Sequence, residues 1–113
     1  MLVHSKTGAA IATRLETAFD SKSRNKGLLG RDALAPGSAL ILAPCSSIHT
    51  FFMRFAIDVL FVDRQGLVLR VATNLRPWRI AWSLRAYAVV EMPTGALTTT
   101  STRVGDTVEL AVR

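Results

Sequence analysis

Few side chains in this sequence combine a reactive type with an unusual setting. Asp58 is the first, because it lies inside the most apolar stretch of the chain, Phe51 to Val62. In a strand, side chains two apart share a face, so Ile57, Val59 and Phe61 point one way. Arg54, Ala56, Asp58, Leu60 and Val62 share the other face if the strand starts early enough. A carboxylate among apolar neighbours needs a partner, or its pKa rises until it sheds its charge. Arg54 and His49 are the nearest candidates in sequence. The group reads as a salt bridge or backbone-capping carboxylate first, as a polar pocket second, and as an acid–base pair third.

Cys45 and His49 form a C-x-x-x-H spacing. Nucleophilic catalysis needs the base within about 2.6–3.2 Å of the thiol and a third group to orient it. Spacing alone does not supply that, and a lone Cys is commonly a small buried hydrophobe. Cys45 is the only cysteine, which excludes an intrachain disulfide and a Cys-rich metal site. His4 lies close to the N-terminus and is expected to be loosely held.

Arg64, Arg70, Arg76, Arg79 and Arg85 follow one another with no acidic residue between them, and Trp78 and Trp82 are interleaved with the last three. Such a run could clamp phosphates and stack bases. It could equally be a covering loop, with the tryptophans packed on the body and the arginines in water. Pro77 opposes one continuous helix from Leu75, though a helix could start at Trp78. Lys22, Arg24, Lys26 and Arg31 extend the positive field. No phosphate-loop, G-x-G-x-x-G or H-E-x-x-H spacing occurs, so no cofactor, metal or zinc hydrolase is indicated.

The elements that must position these residues are mostly strands. Leu2-Val3 and residues 9–19 read as an opening hairpin across Lys6-Thr7-Gly8. Asp20 or Ser21 caps a short helix running towards Leu28-Leu29, weakened by Gly27 and ended by Gly30. Ala39 to Ala43 is a buried strand that stops at Pro44. Phe51 to Val62 turns at Asp63-Arg64-Gln65-Gly66 into Leu67 to Thr73, a β-hairpin. Ala86 to Met92 and Thr107 to Val112 complete the strands. The expected fold is predominantly all-β, a small barrel-like or jelly-roll-like sandwich with one or two short flanking helices.

The 113 residues suit one domain, 1–113, able to bury roughly two thirds of the surface of its unfolded chain. Half the residues are apolar, which argues against disorder. The net charge is +6, and of fourteen Lys and Arg only Lys6, Lys22 and Lys26 are lysine. That balance serves solubility first and an anionic partner second. No apolar run approaches the roughly 20 residues of a membrane span, and no signal-peptide pattern opens the chain. A soluble, cytoplasmic protein is expected.

Several segments together resemble a known family. They are Arg24-x-x-Gly27-Leu28-Leu29-Gly30-Arg31, then His49-Thr50-Phe51-Phe52-Met53-Arg54-Phe55-Ala56-Ile57-Asp58-Val59-x-Phe61-x-Asp63, then Arg76-Pro77-Trp78-Arg79, Glu91-Met92-Pro93-Thr94-Gly95 and Val104-Gly105-Asp106. Over about residues 9–112 the chain resembles the domain-of-unknown-function 192 family. The resemblance implies a compact β-barrel-like or jelly-roll-like domain with short helices, and no activity, substrate or cofactor to transfer. Ala56 stands where the family commonly has proline, and Met92-Pro93-Thr94 varies its Leu-Pro-Ala.

Three functional classes follow. The first is a non-catalytic binding or accessory domain with a pocket at His49, Arg54, Asp58 and Glu91, taking a small molecule, a carbohydrate or a protein segment. The second is a hydrolase-like enzyme using Asp58 or Glu91 with His49. The third, favoured least, binds single-stranded nucleic acid or another anion through Arg76, Trp78, Arg79, Trp82 and Arg85.

Overall fold

The computed structural model describes residues 1–111. Its strands, in chain order, are β1 (Leu2–His4), β2 (Ala10–Ala12), β3 (Arg14–Ala18), β4 (Ser38–Leu42), β5 (Ser47–His49), β6 (Ile57–Val62), β7 (Val68–Leu75), β8 (Ile80–Trp82), β9 (Ala88–Pro93) and β10 (Val108–Leu110). Two short helices, α1 (Ser21–Lys26) and α2 (Ala96–Thr99), flank them. The fold is predominantly β, as expected.

A five-stranded sheet, ordered β3-β4-β9-β6-β7, carries the structure. Its centre, β6 and β9, is buried almost throughout. Leu60, Val62, Val90 and Met92 face a cluster that includes Leu2, Ile11, Val68 and Val108. Ile57, Val59, Phe61 and Val89 face the opposite cluster, with Leu28, Leu34, Ile48 and Met53. Burial on both faces is why these strands read as continuous apolar runs without alternation. Each fully buried large side chain contributes roughly 1.5–3 kcal/mol.

The first cluster is closed by a three-stranded antiparallel sheet, β10-β1-β2. A Leu67–Thr107 bridge joins the two sheets along one side. On the other side the chain itself passes from β2 to β3 through Thr13. The strands wrap around a core like a barrel, but no closed hydrogen-bonded barrel forms among the described residues.

Several predicted boundaries move. Only Ala10–Ala12 of residues 9–19 pairs with β1, while Arg14–Ala18 pairs in parallel with β4. The switch sits at Thr13, where the amides of Thr13 and Arg14 both donate to the Gly37 carbonyl, at 2.8 and 3.0 Å. Helix α1 begins as expected, with Asp20 accepting from the Ser23 amide at 2.7 Å. It ends at Gly27 rather than reaching Leu28-Leu29: the Gly27 amide makes the final i→i−4 bond to the Ser23 carbonyl, and its φ of +48° then turns the backbone out of the helix. The final strand runs Val108–Leu110; Val112, placed in it by sequence, lies outside the described residues. His4 is not loosely held but buried in β1, its Nε2 3.0 Å from Asp106 Oδ2.

The β6–β7 hairpin forms, but β6 starts at Ile57 rather than near Phe51. Its turn is set by Asp63, whose Oδ1 accepts from the amides of Gln65 and Leu67, both at 2.9 Å. Gly66 (φ +84°) completes the turn directly beneath β10. A Cβ there would overlap the Val108 carbonyl, while the Val108 amide donates to Gly66 O at 2.9 Å. Gly66→Ala is expected to cost roughly 2–4 kcal/mol through the positive φ and the overlap. Urea unfolding measures it, and an unchanged midpoint would contradict this junction.

Candidate functional site

A cleft of about 360 Å³ opens between the segment Arg24–Leu29 and strand β5. Leu28, Leu42, Ile48 and Met53 supply apolar wall, with Arg24, Lys26, Cys45 and His49 also lining it. Glu91 lies among them. It sits on β9 between Leu40 and Val59 of the neighbouring strands, on the Val89 face of the sheet. Its residue is 4% exposed, and no group among the described residues donates a hydrogen bond to its carboxyl. The loop after α1 passes close above: a Cβ on Gly27 would lie 3.9 Å from Glu91 Oε1.

Burial pushes the Glu91 carboxyl up to about 7, against the weaker pull of the Arg31 charge. Arg31 is itself held by Glu16 in a two-pronged pair, at 2.7 and 3.1 Å. Near neutral pH, Glu91 therefore offers both a donor and an acceptor form at the cleft.

The structure separates the residues that sequence had grouped. Asp58 is 1% exposed and fully engaged. Its Oδ1 accepts from the Asn74 amide at 2.9 Å, and its Oδ2 accepts from the amides of Gly95 at 3.0 Å and Leu97 at 3.2 Å. The register of β7 shifts beside it, so Asn74, at φ +51°, relies on this carboxylate for its amide. Asp58 thus ties β7 to the start of α2 and does not line the cleft. Arg54 lies before the strand, exposed, and donates to Asp32 Oδ1 at 2.6 Å. Its expected face-sharing with Asp58 fails because residues 51–56 turn instead of extending. His49 and Glu91 do line one cleft.

The Cys45 thiol donates to the Ser47 carbonyl at 3.1 Å, and His49 Nδ1 accepts from the Phe51 amide at 3.3 Å. Neither engages the other. Burial pushes the Cys45 thiol up, and the Glu91 charge adds to that shift. Cys45 is a wall of the cleft rather than an activated nucleophile. Among the described residues no group of three potential metal ligands gathers.

The Arg–Trp run does not form a helix at Trp78. Residues 76–79 turn, and β8 pairs with β5, setting His49 opposite Ile80 and Ser47 opposite Trp82. Trp78 and Trp82 are 56% and 53% exposed, so they are not packed on the body as a covering loop would require.

Thr50 appeared in sequence only within the family-like segment, with no role of its own, yet it organises the turns at residues 50–53 and 76–79. Fully buried, its hydroxyl donates to Arg76 O at 2.6 Å and accepts from the Arg79 amide at 2.9 Å. Its carbonyl accepts from the amides of Trp78 and Met53. The role of Arg24-x-x-Gly27-Leu28-Leu29 in the cleft was visible only as part of a family pattern.

These features define a small, predominantly β protein with a cleft walled by a helix-following loop and a β-ribbon. The chain belongs to the DUF192 family, described as an uncharacterized conserved family, whose model matches residues 2–110. It is 43% identical over 103 residues to a UPF0127 protein of Pyrococcus abyssi, covering 85% of each chain. A UPF0127 protein of Pyrococcus furiosus is 42% identical over 65 residues, 57% of this chain and 55% of that one. Two crystal structures share the fold at a TM-score of 0.77 and 22% identity. One is a Novosphingobium aromaticivorans protein of unknown function, with 96% of this chain and 91% of that chain covered. The other is a Sinorhizobium meliloti protein provisionally named a transcription regulator, covering 84% and 79%. At that identity the likeness speaks of fold alone.

The two buried carboxyls predict opposite mutant behaviour. The Glu91 carboxyl is pushed up to about 7 in the folded chain, against an ordinary 4.5. Between those values the folded state holds the extra proton, so its contribution is complete below pH 4.5 and is lost as pH rises through 7. The loss amounts to roughly 3 kcal/mol. Urea unfolding from pH 4.5 to 8.5 should show this decline, and Glu91→Gln should flatten it. Asp58→Ala, which strands three amides, should instead cost roughly 3–5 kcal/mol. A pH profile unaltered by Glu91→Gln would contradict the assignment.

Proposed function

We propose that this chain is a non-catalytic binding domain, acting in the cytoplasm, that holds a small polar molecule in the cleft beside Glu91. One observation carries the reading: a carboxyl in the middle of a doubly covered sheet, offered no donor by its surroundings, borders a cleft of ligand size. Keeping a carboxyl there costs stability, and such costs concentrate at functional sites. At about 360 Å³ the cleft lies near the lower end for ligand pockets, which favours a small ligand. The chemistry of the lining specifies three features: a hydroxyl or amine for Glu91, an apolar face for Leu28 and Met53, and a negative group towards Lys26 and Arg24. A hydroxy acid or an acidic sugar has all three.

A second reading rests on the near-neutral pKa of Glu91, which suits a general acid or base. In that reading the bound molecule is also turned over.

Thermal-shift screening of polyols, sugars and hydroxy acids tests both, with each binder recovered afterwards. The expected result is a ligand that adds about 2.7 kcal/mol at a hundredfold excess over its Kd. Its effect should vanish in Glu91→Ala, and it should be recovered chemically unchanged. Recovery of a product would replace binding by acid–base catalysis. A ligand whose affinity ignores Glu91→Ala would overturn both readings.

A further inference from the structure

We propose that the outer face of the β5–β8 ribbon is a platform for single-stranded nucleic acid. The contacts form one continuous strip. Phe52 packs on Trp78 with ring centroids 4.7 Å apart, Trp78 stacks on Phe51 at 5.8 Å, and Phe51 meets His49 at 4.9 Å. His49 lies opposite Ile80, Ile80 shares a strand face with Trp82, and the Arg70 guanidinium lies 5.7 Å from the Trp82 ring centre.

The rings are held outward at a cost. Phe52 and Trp78 have φ of +65° and +68°, a region that bulky residues rarely occupy. Buried Thr50 pins the two turns in that state. Phe52 is 72% exposed, so the strain does not serve core packing. Strain kept to present exposed rings is a mark of a binding surface.

Charge complementarity selects the occupant. Arg76 and Arg79 flank Trp78, and Arg85 follows Trp82 by a turn. None of the three has a carboxylate partner among the described residues. Exposed rings in a row, with exposed arginines next to them in sequence, match bases and phosphates in alternation, and the stacking tolerates any base. An acidic peptide would satisfy the arginines but leave the exposed surface of Phe52, Trp78 and Trp82 in water.

Both tryptophans of the chain lie in the strip, so their emission reports its occupancy. The probes are oligothymidylate and oligouridylate of about 15 nucleotides, near the upper site size of comparable platforms. Saturable quenching is expected with at least one of them, and comparing the two distinguishes DNA from RNA. If three arginines neutralise phosphates, affinity should fall roughly 20-fold between 50 and 200 mM salt. Trp82→Ala should weaken binding roughly 5- to 150-fold, the range for loss of one stacked base. Trp78→Gly, which suits the positive φ, should do the same while the folded state keeps its unfolding midpoint. Absence of quenching by either oligonucleotide at 50 mM salt overturns the proposal. So does equal or tighter binding of polyglutamate or of anionic lipid vesicles. His49 borders both the strip and the cleft, but neither Trp78 nor Trp82 lines the cleft, so loss of binding in these variants is separable from the role of Glu91.

Discussion

Strands β6 and β9 are covered on both faces, and that constraint governs the polar chemistry of the molecule. A carboxylate placed on either strand is largely withdrawn from bulk water and depends on what the covering layer offers it. Asp58 and Glu91 sit on these adjacent strands, paired with Met92 and Val59 respectively, on opposite faces of one sheet. Asp58 meets three backbone amides and becomes a structural tie. Glu91 meets Leu40, Val59 and a loop in which Gly27, lacking a side chain, leaves room beside its carboxyl. The same functional group is spent on architecture on one face and left available on the other.

The available face is shaped by short, locally determined pieces. Helix α1 buries none of its own residues and depends on its Asp20 cap and on Arg24, whose Nη1 donates to the Phe19 carbonyl at 2.7 Å. The leucine that follows it, Leu28, supplies the anchoring burial. Across the cleft, the β5–β8 ribbon buries only Ile48 and Ala81 and turns its other residues outward. A rigid central sheet therefore carries a carboxyl between two lightly held walls, the arrangement in which a site can admit a ligand without disturbing the core.

Much of this was legible in the sequence because it rests on local rules. The apolar run ending at Asp63–Gly66 marked the hairpin and Asp20 marked the helix start; the isolation of Asp58 among apolar neighbours marked it as needing partners, though sequence also placed it in the pocket that it does not line. The failures have a common cause in tertiary hydrogen bonds with no local signature. Arg54 was placed on the Asp58 face because nothing near it announces that Thr50 folds residues 50–53 into a turn. Residues 9–19 looked like one strand because the carbonyl that divides them, on Gly37, is more than twenty residues away. Glu91 entered the candidate site through family resemblance; its surroundings come from Leu40, Val59 and Gly27, which only the sheet order brings together. The exposure of Trp78 and Trp82 was equally invisible, since a tryptophan between arginines reads the same whether it lies inward or outward.

The pairing of β1 with β10 has a kinetic meaning. The five-stranded sheet draws on residues 14 to 93, whereas the small sheet joins Leu2 to Leu110 and is complete only when β10 is present. Closing so long a loop adds little to the equilibrium cost, because that cost grows only logarithmically with length. It does delay assembly, since distant partners meet late. During synthesis the residues of the large sheet emerge before β10, so the part of the Leu60, Val62, Val90 and Met92 face that Val108 covers stays open until the last of these strands arrives. The interval before that closure is when a nascent chain is most prone to stick to its neighbours.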